Sequence, residues 1–235
     1  MSFLKSLFIG WIGLLLLGGI SVAQERITII DDFEDEAIGA LPAQWFNRDA
    51  NRSTVDMDAE LRATYFYSVL EEGGNRFLRF EGINGKHMSY PFKKRQKINL
   101  NLTPWLQWRW RIRTIPEGAD ETDKSKNDFA ASIYVVYKVN WLKIPTAIKY
   151  TWSSKLPEGE VLTQNYGKLK VVIVGTGKNQ NGQWISFKRN VQQDFKKLFG
   201  KKAPRHPIAL LILSDGDDVN QVVSADYDDI IFTSQ

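Results

Sequence analysis

Between Gln107 and Arg113 the chain alternates with a period of two. Trp108, Trp110 and Ile112 fall on one side, and Gln107, Arg109, Arg111 and Arg113 on the other. A helix would scatter both sets around its circumference. An extended strand, greasy on one face and charged on the other, keeps them apart. The same reading holds for residues 26–30, 75–81, 129–139, 147–152, 168–174, 183–188, 208–213 and 225–233, which are rich in aromatic and β-branched residues. Turn formers separate them at Pro116-Glu117-Gly118, Pro157-Glu158-Gly159, Gly175-Thr176-Gly177 and Asp215-Gly216. Many short strands punctuated in this way predict an all-β domain, a sandwich or a barrel. Trp108 and Trp110 are expected in the core between two sheets, with their indole N–H groups bonded.

One helix interrupts the pattern. Asn190 is placed to cap it, with Gln193 three residues on. Val191, Phe195, Leu198 and Phe199 form its apolar stripe, Gly200 closes it and Pro204 prevents its resumption. A weaker, shorter helical signal lies between Asp56 and Ala63.

The first residues are read apart from the fold. Lys5, the apolar run from Leu7 to Ile20 and the small residues Ser21-Val22-Ala23 have the form of a secretory signal peptide over residues 1–23, cleaved after Ala23. The run is shorter than the ~20 residues a membrane-spanning helix needs. No later segment is long and apolar enough to span a bilayer. Residues 24–235 then form a single domain in the periplasm or outside the cell. The chain has no cysteine, so its stability must come from its core or from bound ions, and thiol chemistry is excluded. Two histidines are too few for a three-histidine zinc site. A net charge of +4 spread over 235 residues gives no concentrated basic patch, which argues against a nucleic-acid partner.

Several segments together carry a family likeness. They are Ile29-Ile30-Asp31-Asp32-Phe33-Glu34 at the start and Tyr227-Asp228-Asp229-Ile230-Ile231-Phe232 at the end. Between them stand Trp108-Arg109-Trp110-Arg111, Asn127-Asp128-Phe129-Ala130, Tyr150-Thr151-Trp152, Gly182-Gln183-Trp184, Arg189-Asn190-Val191 with Asp194-Phe195, and Asp215 with Asp217. In this order they resemble a bacterial family of exported proteins, domain-of-unknown-function family 3047, with a jelly roll like that of carbohydrate-binding modules. The resemblance implies a jelly-roll-like antiparallel β-sandwich with one short helix at its edge, first and last strands side by side, and export. It brings no activity with it.

Side-by-side terminal strands would gather Asp31, Asp32, Glu34, Asp228 and Asp229. Carboxylates converging without basic partners repel unless a hard cation holds them, which makes these five a candidate structural calcium site. Calcium in carbohydrate-binding jelly rolls adds to that reading. The plainer one is that they cap turns and blunt sheet ends. Tyr150 and Trp152 share a strand face and are candidates for stacking on a sugar ring. Asp128, Arg189, Asp194, Asp215 and Asp217 either converge on a charged pocket or form an ion-pair lattice, with Arg189 on Asp128 or Asp194. Asp215-Gly216-Asp217-Asp218 lacks the sixth-position glycine and twelfth-position glutamate of an EF-hand. The leading expectation is non-catalytic binding of a glycan or other cell-envelope ligand. The alternatives are a polysaccharide hydrolase or lyase using paired carboxylates, and an envelope scaffold with a large exposed apolar patch.

Overall fold

A computed structural model describes residues 25–47, 52–92, 97–178, 180 and 182–235; residues 1–23, read above as a signal peptide, lie outside them. In chain order the strands are β1 (Ile27–Asp31), β2 (Phe46–Asn47), β3 (Arg52–Ser53), β4 (Tyr67–Glu72), β5 (Asn75–Gly82), β6 (Met88–Pro91) and β7 (Trp105–Thr114). They continue with β8 (Phe129–Val139), β9 (Pro145–Ser153), β10 (Val161–Gln164), β11 (Leu169–Thr176), β12 (Trp184–Asn190), β13 (Ala209–Asp215) and β14 (Val223–Thr233). A short helix, α1 (Ala59–Ala63), precedes β4, and α2 (Val191–Phe199) follows β12. None of the described helices is long and apolar enough to cross a membrane.

The strands form two facing sheets, a jelly-roll-like β-sandwich. The smaller sheet runs β12-β7-β14-β5-β4, with β1 also on β14; the larger runs β10-β11-β9-β8-β13-β6-β2-β3. β1 and β14 are antiparallel, with Ile27 opposite Thr233 and Ile29 opposite Ile231, so the first and last strands are neighbours as expected. β5 pairs with β14 over Val223–Tyr227 and β1 takes Ile230–Thr233, while β7 lies along the other edge. One pairing departs from an all-antiparallel design: β11 runs parallel to β9. The chain leaves β9 at Ser153, skips one strand position over residues 154–160, descends β10 and rises along β11 into the gap.

The alternation in β7 is realised as expected. Trp108, Trp110 and Ile112 are buried between the sheets. Trp108 stacks on Phe187 of β12 at 5.2 Å and tilts against Tyr150 of β9 at 5.6 Å, while Trp110 meets Tyr227 of β14 edge-on. Their indole N–H groups have no hydrogen-bond partner among the described residues, against expectation. Rings surround them, and ring faces and edges pack well without offering a strong acceptor.

The other face of β7 is an ion-pair lattice. Asp226 is fully buried and accepts from Arg79 Nε (2.6 Å) and Nη2 (3.0 Å) and from Arg111 Nε (2.7 Å). The Arg109 and Arg111 guanidiniums each lie 4.8 Å from the Trp184 ring centroid. At the sandwich edge, Asn190 caps α2 by accepting from Gln193 N at 3.0 Å, and Gly200 closes it with φ 66°. Phe195 packs on Tyr137 at 4.4 Å.

Candidate ligand-binding cleft

β9 decides which side chains face solvent. Ile148, Tyr150 and Trp152 share the inward face, leaving Ala147, Lys149 and Thr151 on the outer one. Tyr150 and Trp152 are therefore core residues rather than an exposed platform. Trp152 is buried, donates from Nε1 to Gly177 O at 3.0 Å, and fills the space Gly175 leaves open; a Cβ at Gly175 would meet the Trp152 ring at 2.2 Å. Tyr150 donates to Asp194 Oδ2 at 2.7 Å, and Arg189 grips both oxygens of Asp194 at 2.9 Å. This pairing, with Asp194 and not Asp128, pins α2 to the sandwich. Tyr150→Phe is expected to cost about 1.5–3 kcal/mol, since a bond to a charged acceptor is lost. Thermal melts check this, and any ligand held on the opposite face should bind unchanged.

The outer face of the larger sheet carries a cleft of about 750 Å³. Phe129, Tyr134, Val136, Ala147, Leu211 and Leu213, from β8, β9 and β13, form a second apolar cluster that floors it. Ser89, Asn127, Lys143, Gln164, Asn165 and Asp218 supply its polar rim. His87 lines it too and meets Tyr134 edge-on at 5.5 Å.

Lys149 is 3% exposed, and its Nζ lies 3.0 Å from the Phe129 ring centroid. Burial pushes this amine down to about 7, against the opposing pull of Glu121, Asp215 and Asp128. Burial likewise lifts Asp215 to about 6, although it accepts from Gly85 N at 2.9 Å and Gly216 N at 3.1 Å. Glu121 is raised by burial and accepts from Ser153 Oγ at 2.7 Å. An amine and several carboxyls with displaced titration thus gather where β8 begins and β13 ends.

The polar set expected from sequence is split by the fold. Asp128, Asp215 and Asp217 come to this end of the cleft; Arg189 and Asp194 stay with Tyr150 beside α2. The terminal carboxylates correct a premise as well. Asp228 accepts from Asn75 and from Arg109 Nη2 at 2.6 Å, and Asp229 pairs with Arg109 at 2.8 Å. Asp31 accepts from Trp45 Nε1 (2.7 Å) and Phe33 N (2.9 Å), and burial lifts it to about 7. Glu34 accepts from Arg76 N, and Asp32 from Glu34 N. Basic and neutral donors answer these groups, and the five do not form one ligand set. Lys149 and Glu121 are not singled out by the sequence, and Asp218 enters it only within the rejected EF-hand-like loop. The available signal was a lysine inside the otherwise uncharged strand from Pro145 to Ser153.

Residues 53–231 match the model of a family described as "Protein of unknown function (DUF3047)". The chain belongs to the DUF3047 family. No curated protein matches this DUF3047 chain by sequence. Among solved structures it is similar to the family 11 carbohydrate-binding module of the cellulosomal cellulase Lic26A-Cel5E of Clostridium thermocellum. That alignment has 6% identity and TM-score 0.43, covering 91% of this chain and 97% of the module. It is also similar to CBM27-1 of Caldicellulosiruptor saccharolyticus in complex with mannohexaose (11%, TM-score 0.41, 89% and 98% covered). A third is the native family 12 xyloglucanase from Bacillus licheniformis (7%, TM-score 0.42, 89% and 100% covered). Likenesses this distant carry no weight for what the DUF3047 chain binds.

Proposed function

We propose that this protein is exported and binds a cell-envelope glycan in the cleft on its larger sheet, without turning it over. The observation that carries this is the composition of the cleft: an apolar floor containing Tyr134, rimmed by the amides of Asn127, Gln164 and Asn165. A pyranose ring has C–H faces that lie on an apolar floor and hydroxyl edges that bond amides and carboxylates. The volume falls within the range of about 300–1,000 Å³ usual for small-ligand sites. Export is supported by Lys5, the run Leu7–Ile20 and Ser21-Val22-Ala23. N-terminal sequencing of periplasmic protein should begin at Gln24.

A glycan array followed by calorimetry tests the binding. Ala209 lines the cleft and is only partly buried, so Ala209→Trp fills the cleft without overpacking the core. It should weaken binding by about ten-fold or more, a difference of about 1.4 kcal/mol, with an unchanged circular dichroism spectrum. Folded protein that binds no glycan, or an Ala209→Trp variant that binds as before, overturns the reading. A second reading, acid–base chemistry on a polysaccharide, is favoured by the gathering of Glu121, Asp128 and Asp215 around Lys149. It predicts that bound polysaccharide is shortened over hours and that Asp215→Asn stops this.

A further inference from the structure

Beside the cleft, two loops bring three carboxylates together. Asp128 precedes β8; Asp217 and Asp218 sit in the turn between β13 and β14. One oxygen of each lies within 4.8 Å of one oxygen of each of the others. Among the described residues, no lysine, arginine or histidine forms an ion pair with any of the three. The loops are latched reciprocally: Val219 N donates to Asp128 Oδ2 at 2.8 Å and Asn127 N to Asp218 Oδ2 at 3.0 Å.

A separate observation asks for a ligand. Asp128 is completely buried, and its Oδ1 has no hydrogen-bond partner. A carboxylate oxygen sealed from water and left without a donor is strongly unfavourable, and more so beside two further carboxylates. A cation relieves both the missing partner and the repulsion.

We infer that Asp128, Asp217 and Asp218 form a binding site for one hard divalent cation, calcium. The donors are all oxygen, which suits calcium or magnesium over zinc or copper. Asp217 and Asp218 are exposed, so water completes the shell. Two separate loops supply the carboxylates, and three carboxylates with water completing the rest suit the variable six-to-eight-fold shell of calcium better than the strict octahedron of magnesium. The site shares no residue with the terminal carboxylates, which Arg109 and Trp45 hold. Asn127 and Asp218 also line the cleft, so the cation fixes that part of its rim. The inference does not depend on the glycan reading, because cation binding is measured without glycan.

The test uses purified protein dialysed against EDTA, then titrated with calcium chloride by calorimetry and melted with and without about 5 mM calcium, magnesium or an ionic-strength control. One calcium per chain and a melting temperature raised by calcium more than by magnesium are expected. Asp217→Asn and Asp218→Asn change exposed side chains and should each weaken calcium about ten-fold or more, while the metal-free protein melts no lower than before because one repelling charge is gone. Absence of calcium heat together with a melt matching the salt control overturns the site. So does calcium binding that both variants leave intact.

Discussion

Asp226→Ala is expected to destabilise the protein by about 3–5 kcal/mol, the cost of breaking a buried charge pair by removing one partner. Asp226 has no exposed surface, and it is the shared acceptor for Arg79 and Arg111. Arg79 reaches it from β5 and Arg111 from β7, so one carboxylate on β14 joins three adjacent strands. Alanine leaves the Arg111 guanidinium, itself largely buried, with Glu72 at an exposed edge as its remaining ionic partner. For a domain of this size the melting temperature should fall by roughly 10 °C. Asp226→Asn keeps one acceptor oxygen and should fall less. A drop of only a degree or two for the alanine variant would mean that the lattice is largely open to solvent.

Lys149→Met is expected to act in the opposite direction, with a pH signature. The folded-state pKa of this amine is depressed from 10.5 to about 7. Below pH 7 the amine is charged in both folded and unfolded states, and the fold bears the full penalty of burying it. Between pH 7 and 10.5 the unfolded chain binds more protons than the folded one, so wild-type stability rises with pH. Above 10.5 both states are neutral and the penalty is gone. Methionine carries no charge, keeps a similar length and packs well against the Phe129 ring. The variant should therefore gain a few kcal/mol at pH 6, shrinking steadily as pH rises through that window. Glu121, Asp215 and Asp128 face the amine and oppose the shift, so equilibrium unfolding at pH 6, 8 and 10 reads their net effect. A gain that does not change with pH refutes the titration argument. If glycan binding is lost while stability rises, the lysine is kept for the ligand at the expense of the fold.

The legible parts of this chain are those where one face differs sharply from the other. β7 shows its sidedness because arginines alternate with tryptophans, and α2 shows its ends because Asn190 and Gly200 have the chemistry that ends require. β9 defeats the same reasoning. Ala147 and Thr151 on its outer face are nearly as compatible with burial as Ile148 and Tyr150 on its inner face, so period two gives parity without telling which side is the core. Trp152 and Tyr150 do share one face of one strand, and that face is the interior. The partners of the terminal carboxylates escape a local reading for a different reason. Asp228 is opposite Arg109 in the ladder, a pairing over more than a hundred positions that no local pattern states. Likewise, Asp128 meets Asp217 and Asp218 only because β13 pairs with β8, with Asp215 opposite Phe129. The parallel placement of β11 on β9 is also invisible in strand composition, since either direction buries the same side chains.

β14 is the last strand in sequence, yet it lies inside the smaller sheet, with β7 along one edge and β5 and β1 along the other. Until Val223–Thr233 has been synthesised, those three strands have no common partner. The nascent chain therefore emerges with their pairing edges and inward aromatic rings uncovered, a state prone to aggregation.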